Sequence, residues 1–309
     1  MSNSDPGLLR AEVPQGLAGK RFDRALRELF DGLSGAELQR CVRRGRVKVD
    51  GEKIFRSNFK LRGGENISVR IAPPPALRPL PLELLHEGAS FVVVNKPPGM
   101  LVHGNEKQQG GTVSDLAVER FGALPSVEGD ARPGIVHRLD RETSGVMVIA
   151  RTRTALKELR RQFMQREVRK TYLALVHSQP VDDEFKIDLA LGPVPGEIDL
   201  QGIDSNGKAA QTAFRVVQRF GAHALVECRP TTGRRHQIRV HLVHVGCCVV
   251  GDKLYGRAAG LKIQKGAKHH MLHAQSLEFH DPDQGRRVIF EAVPPTSFLD
   301  MQDALEGRP

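Results

Sequence analysis

The chain has 309 residues, which suggests about two domains, and its 39% hydrophobic content is enough for a core. A net charge of +10 and an isoelectric point of about 9.7 favour an anionic partner, with nucleic acid the first candidate. Cys41, Cys228, Cys247 and Cys248 form no C-x-x-C pair, Met1 to Val13 lacks the apolar stretch of a secretory leader, and no apolar run approaches a membrane span, so a soluble cytoplasmic protein with free thiols is expected.

Residues 1–14 are polar with Gly and Pro, and read as a disordered tail. Phe22, Ala25, Leu26 and Leu29 then follow the spacing of a helix with one buried face. Ser34 to Glu37 has capping-box spacing and predicts a second helix with Leu38, Cys41 and Val42 on its buried side and Gly45 at its end. Val47-Lys48-Val49 alternates like a strand, Asp50-Gly51 signals a hairpin, and Ile67 to Ile71 reads as another strand. From Gln15 to Ile71 there are 14 Lys or Arg against 7 Asp or Glu, so this module (residues 15–72) holds +7 of the excess charge. Arg40, Arg43, Arg44, Arg46 and Lys48 crowd the second helix and the turn after it, as a phosphate-binding ridge would.

Pro73, Pro74, Pro75, Pro79 and Pro81 make residues 73–81 a semi-rigid linker to a second domain over 82–300, with 301–309 an uninformative tail. Phe91 to Val94 reads as a central strand, ending in the turn Asn95-Lys96-Pro97-Pro98-Gly99, and Thr112 to Phe121 as a helix. Gly145 to Ala150 is an apolar, β-branched run that reads as a buried strand. The polar segment before it, His137-Arg138-Leu139-Asp140-Arg141-Glu142-Thr143-Ser144, cannot be core, so Asp140 sits on a loop feeding a rigid strand. Leu156, Leu159 and Phe163 mark an amphipathic helix; Lys170 to Val176, Thr212 to Gln218 and Ala224 to Arg229 read as strands. In Thr232-Gly233-Arg234-Arg235-His236-Gln237-Ile238-Arg239-Val240-His241-Leu242, residues Ile238, Leu242 and Val245 share a helical face and Gly246 suits the C-cap. Gly251-Asp252-Lys253-Leu254-Tyr255-Gly256 follows, and Leu272 to Ala274 and Val288 to Ala292 complete a sheet.

Three of these stretches, His137 to Gly145, Lys170 to Val176 and Thr232 to Leu242, together resemble the RluA family of pseudouridine synthases, which convert uridine in RNA to its carbon-linked isomer. Within it, Val102-His103-Gly104, His137 to Arg141 and Lys170 to Val176 are similar to the ribosomal large subunit synthases of the C type. Arg21 to Leu26 and Gly45 to Gly51 resemble the small RNA-binding domain named after ribosomal protein S-four. The resemblance implies an α+β catalytic domain on a mixed, mainly antiparallel sheet with a central cleft, preceded by a small α/β module of the S4 type. It assigns catalysis to Asp140, Tyr172 and Arg239, and places Arg138, His137, Leu139, Lys96 and Ile238 around the substrate. The chain departs from the family pattern at Arg235, where Thr or Ser is usual, and at Cys247-Cys248, where His-Pro is common.

Isomerising uridine breaks the bond from sugar carbon to base nitrogen, turns the uracil and rejoins it through carbon. No redox change occurs, so no cofactor is expected, and the chain has no Walker or dinucleotide motif. An ionised Asp140, oriented by Arg239, would act as a nucleophile on the anomeric carbon or as a base on the neighbouring sugar proton; the residues leave both routes open. Tyr172 would stack on the base, and Arg138 would fill the space left by a flipped nucleotide. His236, His241 and His244 lack metal-site spacing, so no metal is expected, and His137 reads as a structural hydrogen-bonder. The expected partner is large-subunit ribosomal RNA, met by a monomer. Transfer RNA is the alternative substrate; a non-catalytic RNA-binding assembly factor would share the charge without needing the trio, and a nucleoside hydrolase would release free uracil without needing the +7 module.

Overall fold

Phe22, Ala25 and Leu26 are fully buried at helical spacing, and Phe22–Leu29 accordingly forms helix α1. The structure, a computed structural model, describes residues 8–31, 33, 38, 41, 42, 45–54, 59–70, 82–104, 111–127, 132–197, 199–260, 264 and 266–307. Two compact units divide the chain, residues 1–78 and 79–309.

In the first unit, β1 (Leu8–Glu12), β2 (Val47–Val49), β3 (Glu52–Lys53) and β4 (Asn66–Arg70) form an antiparallel sheet in the order β1-β4-β2-β3. Asp50 and Gly51 have φ of 47° and 87°, the left-handed pair that a two-residue hairpin of this hand requires. Leu38, Cys41 and Val42 are helical and buried against α1 and the sheet. The expected tail over 1–14 is corrected here: Leu8–Glu12 pairs with β4 from Leu8↔Arg70 to Glu12↔Asn66, so backbone pairing overrides polar composition. The capping box at 34–37 and the linker at 73–81 lie outside the described residues.

The second unit is built on nine strands: β5 (Glu83–Glu87), β6 (Phe91–Lys96), β7 (Ser144–Ala150), β8 (Arg169–His177), β9 (Glu184–Asp188), β12 (Gln211–Phe220), β13 (His223–Pro230), β14 (Leu272–His280) and β15 (Arg287–Glu291). A separate hairpin joins β10 (Leu191–Pro193) to β11 (Gln201–Ile203). The main order is β5-β6-β7-β14-β8-β13-β12-β9, with β15 also on β14. Every pairing is antiparallel except β7 with β14, which spans only His273↔Ser144 and Ala274↔Gly145.

All seven residues of β7 are buried because the sheet is covered on both faces there. Val146, Val148 and Ala150 pack with Ala155, Leu156 and Leu159 of helix α3 (Arg153–Met164). Met147 and Ile149 point the other way, against Val113 and Ala117 of helix α2 (Val113–Phe121), which a Thr112–Asp115 capping box starts. Farther along, Ala174, Val176, Val226 and Cys228 pack on Ile238 and Leu242 of helix α4 (Gln237–His244). On the opposite face, Leu175 and Leu225 meet Phe298 and Met301 of helix α5 (Thr296–Glu306), so the expected 301–309 tail is helical through Glu306 and anchored by Met301. Val245 lies beyond the end of α4 and is exposed, so the buried face of that helix rests on Ile238 and Leu242 without it. Cys247 and Cys248 are buried core residues.

Candidate active site

Two rigid supports fix the loop before β7. Gly145 has a φ of 117°, and a Cβ there would collide with the backbone of Ala274, so only glycine lets β14 run this close. Next to it, Ser144 Oγ lies 2.9 Å from His273 Nδ1, and His273 Nε2 lies 2.9 Å from Ala292 O. A carbonyl only accepts, so the His273 proton is on Nε2 and Ser144 donates to Nδ1. Thr143 Oγ1 is 2.8 Å from His270 Nε2, and the Thr143 N–H closes the turn onto Asp140 O at 3.1 Å. The Asp140 loop is thus tied through two side chains to His273 in β14 and to His270 just before it.

Arg239, in the first turn of α4, reaches Asp140 from the other side. Its Nη1 donates to Asp140 Oδ2 at 3.0 Å, while Nε and Nη2 donate to Asp252 Oδ2 and Oδ1 at 2.6 and 2.9 Å. Its guanidinium carbon stands 4.8 Å from the centre of the Tyr255 ring. Asp252 is saturated, because Oδ1 also accepts from the Leu254 and Tyr255 N–H groups at 3.1 and 3.0 Å. Asp140 is not: among the described residues Arg239 is its only side-chain hydrogen-bond partner, and 21% of its side chain is exposed, against 7% for Arg239 and 1% for Asp252. One cation faces two carboxylates, and the unmatched negative charge lies on the one that solvent or a substrate can reach.

Burial raises the Asp140 carboxyl, but His236, Arg239 and His270 outweigh it and hold it below the ordinary value. Burial pushes His236 down to about 4 and His270 to about 3, so both rings are neutral at pH 7 and Arg239 is the standing cation. Burial works against Arg239 as well, yet Asp252 and Asp140 keep it firmly charged. Such an arrangement holds a permanently ionised, partly uncovered carboxylate at a fixed point, which suits attack on carbon or abstraction of a proton.

The structure brings together Asp140, Arg239 and Tyr172, the trio named from sequence. Tyr172 lies on β8 opposite Cys228 and Ala274, packed beside Leu139 and Ile238. Burial and the Asp140 charge push its hydroxyl far above the usual range, so it stays protonated. Leu139 and Ile238 are buried in the walls around it. Arg138 is exposed, with no hydrogen-bond or ion-pair partner among the described residues. Two substrate assignments are corrected. Lys96 is fully buried, and its Nζ donates to Pro97 O, Met100 O and Arg141 O at 2.8, 2.9 and 2.9 Å, so its three N–H groups clamp two loops and leave none for phosphate. Burial lowers it to about 7, opposed by Glu142 and Asp140. His137 accepts from the Val148 N–H at 3.1 Å and stacks on Phe163 at 4.5 Å, and burial takes it down to about 3, which makes it a neutral scaffold residue.

In the first unit, Lys48 is exposed on β2 and Arg46 half-buried before it; Arg40, Arg43 and Arg44 lie outside the described residues. Arg235 pairs with Asp199 at 2.6 Å on the surface. His241 bonds Thr212 and Leu189 O, and so does not converge with His236. Sequence reasoning missed His236, Asp252, Tyr255 and His270. The stretch Gly251 to Gly256 stood out as a pattern, and its Asp-x-x-Tyr spacing was the available signal for the Arg239 support.

A mixed sheet carrying an Asp–Arg pair at the end of a buried strand defines the class. Residues 90–244 match the family RNA pseudouridylate synthase, and the chain belongs to that family. It is 37% identical to Ribosomal large subunit pseudouridine synthase D of Xanthomonas campestris pv. campestris, over 97% of this chain and 93% of that protein. It is 36% identical to the protein of the same name from Xylella fastidiosa, over 99% and 95%. Among solved structures, Human RNA Pseudouridylate Synthase Domain Containing 4 superposes with a TM-score of 0.56 at 27% identity, covering 72% of this chain and 92% of that one. These bacterial relatives bear the designation D, where the sequence motifs favoured the C type. No helix among the described residues is long and apolar enough to cross a membrane.

Proposed function

We propose that this RNA pseudouridine synthase acts in the cytoplasm on uridines of large-subunit ribosomal RNA, and that Asp140 starts the reaction. The observation that carries the catalytic assignment is the asymmetry of the two carboxylates: Asp252 is saturated and sealed, whereas Asp140 keeps an uncommitted oxygen at the surface. Arg239 orients Asp140 and keeps it ionised. Tyr172, neutral and set in an apolar wall, receives the flipped uracil, and Arg138 takes the space that the base leaves. The names of the two bacterial relatives support the ribosomal target. The basic first unit, with its S4-like motifs, serves as an RNA clamp that adds phosphate contacts.

The test is tritium release from RNA labelled at uridine C5, since forming the carbon linkage expels that hydrogen. The wild type releases tritium from large-subunit RNA, Asp140→Ala does not, and free uracil is absent. Release from transfer RNA alone would move the target there; release from neither would leave a non-catalytic binding factor.

A further inference from the structure

The departing base carries charge that the Asp–Arg pair does not address. When the bond from C1′ to N1 breaks, its electron pair leaves with the uracil, and negative charge spreads over N1 and the ring carbonyl oxygens. Arg239 commits three of its N–H groups to Asp140 and Asp252. A second, neutral donor stands beside the same carboxylate: His236 Nε2 is 3.9 Å from Asp140 Oδ2.

Three features fix that ring. His236 precedes α4 in the left-handed conformation (φ 58°, ψ 16°), unusual for a residue other than glycine. Its ring meets the Tyr255 ring edge-on at 5.6 Å, and its Nδ1 is 2.9 Å from the Tyr255 hydroxyl. That hydroxyl oxygen accepts the Gln201 N–H at 3.1 Å, and among the described residues His236 Nδ1 is the one acceptor within reach of its own proton, which is therefore directed there. The neutral ring therefore holds its proton on Nε2, the nitrogen facing Asp140. The 3.9 Å gap is too long for a good hydrogen bond to the carboxylate and leaves the N–H available to an atom brought alongside it.

We propose that His236 is a further catalytic residue, whose Nε2–H donates a hydrogen bond to the uracil as it departs with the C1′–N1 electron pair. The proton stays on His236; the bond breaks to N1, and either a new Asp140–C1′ bond forms or Asp140 takes the neighbouring sugar proton. The role holds for both routes and rests on Asp140 starting the reaction. Burial keeps His236 neutral at pH 7, which suits a donor that stabilises charge without releasing its proton.

The test compares single-turnover glycosidic cleavage on large-subunit RNA transcribed with uridine or with 5-fluorouridine, whose base leaves more readily as an anion. His236→Ala slows cleavage about 100-fold on uridine RNA, the scale of losing one donor to a developing charge, and about 10-fold or less on 5-fluorouridine RNA. His236→Gln, which keeps an N–H near the same place, recovers much of the loss. Tyr255→Phe frees the tautomer while leaving His236 in place, shows the same bias in smaller measure, and decides the matter if His236→Ala fails to fold. Equal losses on both RNAs in the folded variant would overturn the proposal. Failure of the underlying reading is distinct, since cleavage would then survive in Asp140→Ala.

Discussion

Arg239 holds Asp140 at 3.0 Å with one nitrogen and Asp252 at 2.6 and 2.9 Å with two others, so a single planar cation bridges two carboxylates of unequal exposure. Lysine offers one point charge and no fork. Arg239→Lys should therefore lose both the aim of Asp140 and the two-point hold on Asp252. We expect a drop of about 100-fold or more in single-turnover rate, because small misplacements of a reacting group have costs of that order. Losing one of the two charge-assisted hydrogen bonds to buried Asp252 costs about 2 kcal/mol, read from denaturant unfolding. A variant with wild-type stability and rate would contradict the bridge.

Acid should destabilise the protein earlier than carboxylate titration alone would. Burial pushes His137 and His270 down to about 3 and His236 to about 4. Their folded values lie below the unfolded histidine value near 6.5, so the unfolded chain takes up protons that the folded chain refuses as pH falls. Stability is complete above about pH 6.5 and declines down to about pH 3–4, by up to about 1.4 kcal/mol per pH unit for each histidine. Asp140 and Asp252, with depressed values, add loss only at the bottom of that window. Melting temperatures across pH 7.5 to 5 check this, and His137→Gln should flatten the slope.

Gly145→Ala should be among the most damaging single substitutions. The added methyl meets the Ala274 backbone in a conformation (φ 117°) that side chains rarely adopt. Prying β7 from β14 also displaces Ser144 and Thr143, the ties that hold Asp140. We expect about 3 kcal/mol or more of lost stability and loss of activity in whatever remains soluble.

Lys96→Met separates the substrate-side role expected from sequence from the clamp seen in the fold. With three carbonyls left without their donor, stability should fall by about 3 kcal/mol, while RNA affinity and its salt dependence stay unchanged in the folded fraction. Filter binding across a salt series checks it; a shallower salt slope would show a phosphate contact instead.

Much of this was legible beforehand, for definable reasons. Strand β7 announced itself by an apolar, β-branched run, and α1 and α3 by their periodicity, because burial on one or two faces writes itself into local sequence. The trio Asp140, Tyr172 and Arg239 emerged from motif strings, and the structure brings them together. Lys96 was misread because a lysine at a Pro-Gly turn looks solvent-facing, and only tertiary structure supplies three carbonyls around it. The left-handed His236 and the Asp252–Tyr255 support were missed because their partners lie 13 to 54 positions away in the chain, beyond any local pattern. Strand β1 was missed because its pairing with β4, not its polar sequence, orders it.

The most direct test of the central claim is a pseudouridine map of large-subunit ribosomal RNA by carbodiimide modification and primer extension. The RNA would come from cells lacking the protein, and from the same cells supplied with the wild type or with Asp140→Ala. The account predicts that particular stops vanish on deletion, return with the wild type and stay absent with Asp140→Ala. A map that the variant restores as fully as the wild type would contradict the role given to Asp140, and a map unchanged by the deletion would contradict the ribosomal target.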